Sequence, residues 1–373
     1  MKTNKLQFTV ISNVEDLETI KHEWSELLDH AIHDSFFLTY EWIYCWWRAY
    51  SKPTDRMLIV LIRDASKVVA IAPLMKSYEK RYGFRLNVLR FIGEPQSDRS
   101  DVIIRKSDIE EDVFESLFEF LVQKIDGWEQ MHLREVHDQS NFYRWLVKNI
   151  KKVYVEPASD CLYLPLKQWS TWDKYFKSRS KSTKKKVKNL LNQILKSGAV
   201  ATGHIPITNM NDPLLDEATK IEQENKPEKG IKQLVLHGEK NKNFQKLLLD
   251  NRNNYELLLS VLIKNNRLVA YNLGYCYKNI YYFYNTAYCQ KEAKFSPGLL
   301  ILKETIHFLK QKNVEEFDFL RGINVNKKRW ATNLRKQKNI YYLKNSMKNR
   351  LYSFMVFSLR PFIKRLLFRD TDK

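Results

Sequence analysis

The chain has 373 residues, a formal net charge of +20 at pH 7, and a composition that is 44% hydrophobic and 13% aromatic. That length and apolar content suit two domains with sizeable cores. Gly and Pro are scarce at 10 each and no segment is low in complexity, which excludes collagen-like, mucin-like and long disordered architectures. The excess of positive charge predicts attraction to something anionic: nucleic acid, a phosphorylated cofactor or acidic lipid.

In chain order, LQFTVI (6–11) reads as a short strand, and DLETIKHEWSELL and EWIYCWWRAY carry apolar residues at helical spacing. MLIVLIRD and VVAIAPLM form a hairpin across ASK, NVLRFIG and DVIIR are further strands, EDVFESLFEFLVQKI is a helix and EQMHLREV a strand. The second half repeats this plan: LLLSVLIKNNRLVAYNLGYCY aligns with LIVLIRDASKVVAIAPLMK, with Leu61-Ile62 set against Leu262-Ile263 and turns that differ by one residue. Strand, apolar helix and strand follow in both halves. The fold class is therefore α+β, as two copies of one domain, 1–155 and 156–345, followed by a basic amphipathic tail, 346–373.

Most of the positive charge is local. Residues 174–188 carry Lys174, Lys177, Arg179, Lys181, Lys184, Lys185, Lys186 and Lys188, and 344–373 carry eight cations against Asp370 and Asp372. The apolar residues of the first run (Trp172, Tyr175, Phe176, Val187, Leu190, Leu191, Ile194, Leu195) recur every three or four, which predicts one or two amphipathic helices ending at Gly198. Three readings of the lysines stay open: a solvated face, a surface for an anionic ligand, or a nucleic-acid reader.

Two further stretches bear on chemistry. Strand Ile280–Tyr288 leads to a helix that starts at Ser296, Pro297 and Gly298, with Ser296 as N-cap hydroxyl; such a first turn can receive a phosphate. FDFLRGINVNKKRW delivers Asp318 on a strand end, beside a basic cluster and Trp330. Cys45, Cys161, Cys276 and Cys289 have no C-x-x-C spacing, so free thiols in a reducing cytoplasm are expected. A zinc site is not expected, since H-E-x-x-H is missing, as are G-x-S-x-G, P-loop and G-x-G-x-x-G motifs. No secretion signal opens the chain, and the apolar run LYSFMVFSL is too short for a bilayer, so a soluble or peripheral protein is expected.

Taken in order, FFLTYEWIYCWW (36–47), VVAIAPL (68–74), LRFIGEPQSDRSDVII (89–104), KSRSKSTKKKVKNLLNQILKSG (177–198), IEQENKPEKG (221–230), NRLVAYNLGY (266–275), SPGLLIL (296–302) and FDFLRGINVNKKRW (317–330) resemble the GNAT-type acetyltransferase family of the CelD/BcsL cellulose-biosynthesis proteins, related to the FemAB aminoacyl transferases. The chain departs from that family at Asn225 and Asn326, where a Trp and a Tyr are usual.

The resemblance implies tandem GNAT-like domains, with acetyl-CoA or another acyl-CoA as donor to a small-molecule or lipid-linked glycan in bacterial cell-envelope or exopolysaccharide synthesis. The donor would lie along 283–288, with Tyr284, Asn285 and Thr286, and its diphosphate at Ser296, Gly298 and Leu299. Glu222 and Asp318 are the candidate proton-accepting carboxylates. Lys226, Lys327 and Trp330 would orient an acceptor, and Asp98 and Asp101 would close the cleft from the first domain. The basic run then matches a helix entering the second domain, which disfavours a free nucleic-acid arm. Aminoacyl transfer from charged tRNA, and an inactive scaffold docking an anionic membrane through 346–369, are the alternatives; the expected location is the cytoplasm, with peripheral attachment to the plasma membrane left open.

Overall fold

The computed structural model describes residues 6–107, 110–225, 235–361 and 363. The chain forms two compact units, one of Met1–Trp47, Ser51–Ser159 and Lys336–Lys373, the other of Arg48–Tyr50 and Asp160–Arg335. In chain order the elements are β1 (Gln7–Ile11), α1 (Val14–Thr19), α2 (Lys21–Asp29), α3 (Tyr40–Tyr50), β2 (Arg56–Asp64), β3 (Lys67–Arg81), β4 (Phe84–Phe91), β5 (Ile103–Ile104), α4 (Glu110–Gln123), β6 (Gln130–His137), α5 (Asn141–Asn149) and β7 (Val153–Pro157). They continue as β8 (Cys161–Leu164), α6 (Trp172–Ser178), α7 (Lys181–Lys196), β9 (Val200–Ile207), α8 (Pro213–Glu224), α9 (Glu239–Asp250), β10 (Tyr255–Lys264), β11 (Arg267–Tyr277) and β12 (Ile280–Tyr288). Last come α10 (Pro297–Gln311), β13 (Glu316–Arg321), α11 (Val325–Trp330), β14 (Asn333–Arg335), β15 (Gln337–Leu343) and α12 (Met347–Ser353).

Local chemistry sets the boundaries. Asn13, Thr39, Ser140, Thr171, Ser180, Asp212, Asn324 and Ser346 each accept an N–H from the first turn of the helix they precede. Asn265 (φ 49°) and Asn266 (φ 60°) adopt left-handed backbone in the two-residue turn joining β10 to β11.

The two sheets share one plan. The first runs β1-β2-β3-β4-β6-β15-β7, with β5 also paired to β3; the second, read in the same sense, runs β9-β10-β11-β12-β13-β8-β14. In each, the sixth position is filled by a strand that the chain adds on crossing from the other unit, β15 in the first and β8 in the second. The division therefore differs from a boundary at 345. Residues 337–343 lie between β6 and β7, bonded to both, so they are interior to the first sheet.

Repeat register also differs from the sequence alignment by one residue. Ile62 pairs Ala70 and Leu262 pairs Ala270, each ladder carries an irregularity at the next step, and both turns have two residues, so equivalent positions in the hairpins are 200 apart. The core of the first unit joins Leu58, Val60, Leu89, Phe91, Leu117, Leu133 and Ile340. On the opposite face of its sheet, Leu86, Val88, Tyr341 and Leu343 pack Tyr352 and Val356 of α12 and the helical turn that continues it. In the second unit, α7 and α10 cover Leu258, Leu262, Tyr281 and Phe283. Burial of this apolar surface, at about 25 cal/mol per Å², is the main force holding each unit.

Candidate functional site

A fork opens in the second sheet. β12 pairs β13 in parallel through three residue pairs, Ile280↔Glu316, Tyr281↔Phe317 and Tyr282↔Asp318, while its antiparallel register with β11 continues to Tyr288↔Ala270. Within that register Leu273 faces Asn285 and Gly274 faces Phe283, which leaves Tyr284 as the extra residue of a bulge two residues past the last β13 pair. The bulge residue thus falls where the strand is paired on one side only.

Gly274 permits this arrangement. A Cβ there would stand 2.3 Å from the Tyr281 ring and 2.5 Å from the Tyr282 carbonyl oxygen, so any side chain would push on the strand just where it leaves β13. Sequence reasoning missed Gly274; its signal was a lone glycine inside an apolar strand.

Past the bulge, successive residues point to opposite faces. Asn285 faces α8: its amide donates to Glu222 Oε1 at 2.8 Å and its oxygen accepts from the Tyr271 hydroxyl at 2.6 Å. Burial, with Glu222 adding to it, raises the Tyr271 hydroxyl well above its ordinary pKa, so it remains a donor. Thr286 faces α10: its hydroxyl reaches Asn272 Oδ1 at 2.9 Å, and the Asn272 amide donates to Thr305 Oγ1 at 2.9 Å. Tyr284 lies edge-on to Tyr275, with ring centroids 5.4 Å apart.

At the start of α10, Pro297 is the first helical residue. Ser296 has φ 46° and makes no side-chain cap, contrary to the expected hydroxyl N-cap; in that left-handed conformation it is its carbonyl that takes the N–H groups of Leu299 (2.9 Å) and Leu300 (3.4 Å). Leu299 itself is buried in the core and offers backbone alone. Gly298 is half-buried, and a Cβ on it would touch Tyr288 at an ordinary 3.5 Å. The positive end of a fifteen-residue helix thus stands beside the last residue of the forked strand.

The other expected site residues take different roles. Glu222 is 5% exposed and spends both oxygens on N–H donors: Oε1 on Val235 and Asn285, Oε2 on Leu236 and His237, all at 2.8–2.9 Å. It ties the 235–237 segment to β12. Asp318 is fully buried on β13, with Oδ1 accepting from the Leu320 N–H at 2.8 Å and Oδ2 facing Arg335 at 3.3 Å. Lys327 is buried and donates to the carbonyls of Phe319 and Arg321, both at 2.6 Å, fixing the end of β13. Trp330 is 0% exposed within an aromatic cluster with Trp172 and Phe176, so it is core rather than an acceptor surface, because α11 turns positions 327 and 330 to the same inner side.

Lys226 lies outside the described residues. The two departures from the family pattern are both bonded: Asn225 donates to the Ile221 and Tyr288 carbonyls at 2.7 Å, and Asn326 accepts from Arg329 at 2.7 Å. Asp98 and Asp101 belong to the first unit, in a buried loop. Asp101 accepts from Val102 N–H (2.8 Å) and Ser140 (2.9 Å), and burial pushes its carboxyl up to about 7. Among the described residues no group of three or more His, Cys, Asp or Glu is placed to hold a metal, and no helix is long and apolar enough to cross a membrane.

Residues 181–328 match the family described as the acetyltransferase (GNAT) domain, the stretch that holds the fork, the bulge and α10. No curated protein matches the chain. Among solved structures it is similar in fold to FemX (10% identity, 94% of this chain and 99% of that one, TM-score 0.62). It is also similar to L-PGS from Bacillus licheniformis (12% identity, 93% and 96% covered, TM-score 0.55). A third is the C-terminal domain of a putative lysylphosphatidylglycerol synthetase from Agrobacterium fabrum (10% identity, 93% and 97% covered, TM-score 0.53). With a GNAT acetyltransferase domain over 181–328 and two GNAT-like sheets flanked by helices, the protein is an acyltransferase.

Proposed function

We propose that the protein moves an acyl group, acetyl in the simplest case, from acyl-CoA to an amine or hydroxyl of a sugar or lipid-linked precursor in bacterial cell-envelope or exopolysaccharide synthesis. The observation that carries the donor half is the fork: β12 leaves β13 after Tyr282, bulges at Tyr284 and ends beside the first turn of α10. The ordered match to the CelD/BcsL pattern supports the acceptor class.

In this reading the thioester lies along 283–288 with its carbonyl toward a strand N–H, and the diphosphate meets the first turn of α10 at Gly298. The acceptor nitrogen or oxygen attacks the thioester carbon, the C–S bond breaks, and CoA leaves as a thiolate that takes up a proton. The Asn285–Glu222–Tyr271 chain positions the strand. With both oxygens of Glu222 held by N–H donors, and Asp318 fully buried with its oxygens on the Leu320 N–H and Arg335, the acceptor's own proton goes to solvent water.

A second reading, aminoacyl transfer from charged tRNA, is favoured by α7, whose Lys181, Lys185, Lys186 and Lys188 are exposed on one continuous helix. Calorimetric titration separates the two. Acetyl-CoA binding, weakened about tenfold by a like charge in Gly298→Glu, supports the first. Binding of charged tRNA with no heat from acetyl-CoA supports the second, and binding of neither overturns both.

A further inference from the structure

The segment after β15 is mounted firmly, yet it shows an apolar face to solvent. Ser346 caps α12, the Asn349 amide donates to the carbonyls of Glu129 (2.9 Å) and Lys344 (2.7 Å), and Lys348 meets both Glu129 oxygens at 2.7 and 2.8 Å. Asn349, Tyr352 and Val356 are buried against the sheet. On the other side of the same helix Met347 is 87%, Leu351 54% and Phe354 57% exposed, with Met355 next to them. Their spacing of four, three and one places them on a single stripe opposite the buried one. An outer apolar stripe adds nothing to packing within the unit and marks a contact surface.

Charge says what the surface meets. The sequence has no Asp or Glu between Asp318 and Asp370, and beyond Lys348, which is paired with Glu129, this segment carries Arg350 and Arg360. Arg350 is exposed beside Leu351; Arg360 is exposed and stacks at 4.9 Å on Tyr82, itself 43% exposed at the β3–β4 turn. Cations and a tyrosine bordering an apolar stripe suit the boundary between acidic headgroups and acyl chains. A second copy of the chain would bring like charges together across the same stripe, and nucleic acid has no use for exposed Phe, Met and Leu.

We propose that the outer face of residues 347–359 docks on an anionic lipid bilayer, lying in its interface. The inference concerns the first unit and stands whether or not the donor is acyl-CoA.

The test is co-sedimentation of the full chain with vesicles of phosphatidylcholine alone and of phosphatidylcholine mixed equally with phosphatidylglycerol. Binding is expected with the mixed vesicles and not with the neutral ones, falling as salt rises. The double variant Leu351→Glu, Phe354→Glu is expected to weaken binding about tenfold or more with an unchanged melting temperature, since both side chains face water. Three results overturn the proposal: no sedimentation with acidic vesicles, binding that the double variant leaves intact, or a wild-type dimer in sedimentation velocity that the double variant dissolves.

Discussion

The two units follow the same path until the fourth strand and then diverge. In the second, Phe283 faces Gly274 and the strand continues through Tyr284–Thr286 to pair Ala287 with Tyr271 and Tyr288 with Ala270, and the Cys289 N–H bonds the Val269 carbonyl at 2.8 Å. In the first, Phe91 faces Leu74, Ile103 pairs Ile71, Ile104 pairs Ala70, and the Arg105 N–H bonds the Val69 carbonyl at 2.9 Å. The equivalent ends are the same, but Ile92–Val102 stands where the second unit has Tyr284–Thr286.

That inserted loop crosses to the strand on the far side of the fork. The Ser100 N–H bonds the Glu135 carbonyl of β6 at 3.1 Å, Arg134 of β6 reaches Glu94 at 3.2 Å, and Ser140 reaches Asp101 at 2.9 Å. The first fork, where β4 pairs β6 through two residue pairs, is thus bridged by the protein's own polar groups; in the second unit the three residues Tyr284–Thr286 take the place of that loop. The plug in the first unit is what favours the second unit for the proposed donor site.

The largest effect is expected from Glu222. Glu222→Ala strands four N–H donors, two of them on the buried Leu236 and Asn285, and should destabilise the second unit by about 3–5 kcal/mol in urea denaturation. Glu222→Gln sharpens the comparison: as an anchor it should also destabilise, because an NH2 replaces one acceptor oxygen. A variant that folds with wild-type stability and loses turnover alone would make Glu222 the base instead.

Gly274→Ala comes next. Its methyl has backbone 2.5 Å away, so the Tyr282 carbonyl must move, costing about 1–3 kcal/mol and weakening acetyl-CoA binding. Leu74 is the equivalent residue in the first unit, paired with Phe91. Leu74→Ala should cost stability there, about 2–5 kcal/mol, and leave donor affinity unchanged. Equal loss of affinity in both would end the distinction between the units.

Much of this was legible in the residues. The bounds of β12 and the start of α10 follow from an aromatic strand and from proline at a helix start, and the repeat is visible in matching hairpins. Glu222 read as a proton-accepting carboxylate, although Leu215, Ala218 and Glu222 recur on the buried side of α8. That series gave the position away; the amides it serves, thirteen to fifteen residues later, did not show. The bulge at Tyr284 left no trace because a bulge is a property of pairing, not of residue type. In GEPQSDRSD, Asp98 and Asp101 read as closing a cleft, and nothing local says that these carboxylates are buried in their own unit.

The most gradual effect probes the plug itself through pH. Burial raises the Asp101 carboxyl to about 7 in the folded chain, against an ordinary 3.8. The folded state therefore keeps a proton that the unfolded chain releases near pH 4, and the stability this contributes is present below that pH and is lost as pH rises through about 7. Glu94, also raised by burial to about 7 against the opposing charges of Arg134 and Arg90, titrates in the same window, so the wild-type slope belongs to both. Asp101→Asn keeps an oxygen for Ser140 and Val102 but cannot ionise. The difference between variant and wild-type melting temperatures should widen in the variant's favour from pH 4 to pH 7 and then hold level, by at most about 1.4 kcal/mol per pH unit. Parallel curves would mean that the carboxylate is ionised in place and that the loop is held by charge, as in a site built to meet a cation, rather than by neutral hydrogen bonds that close it.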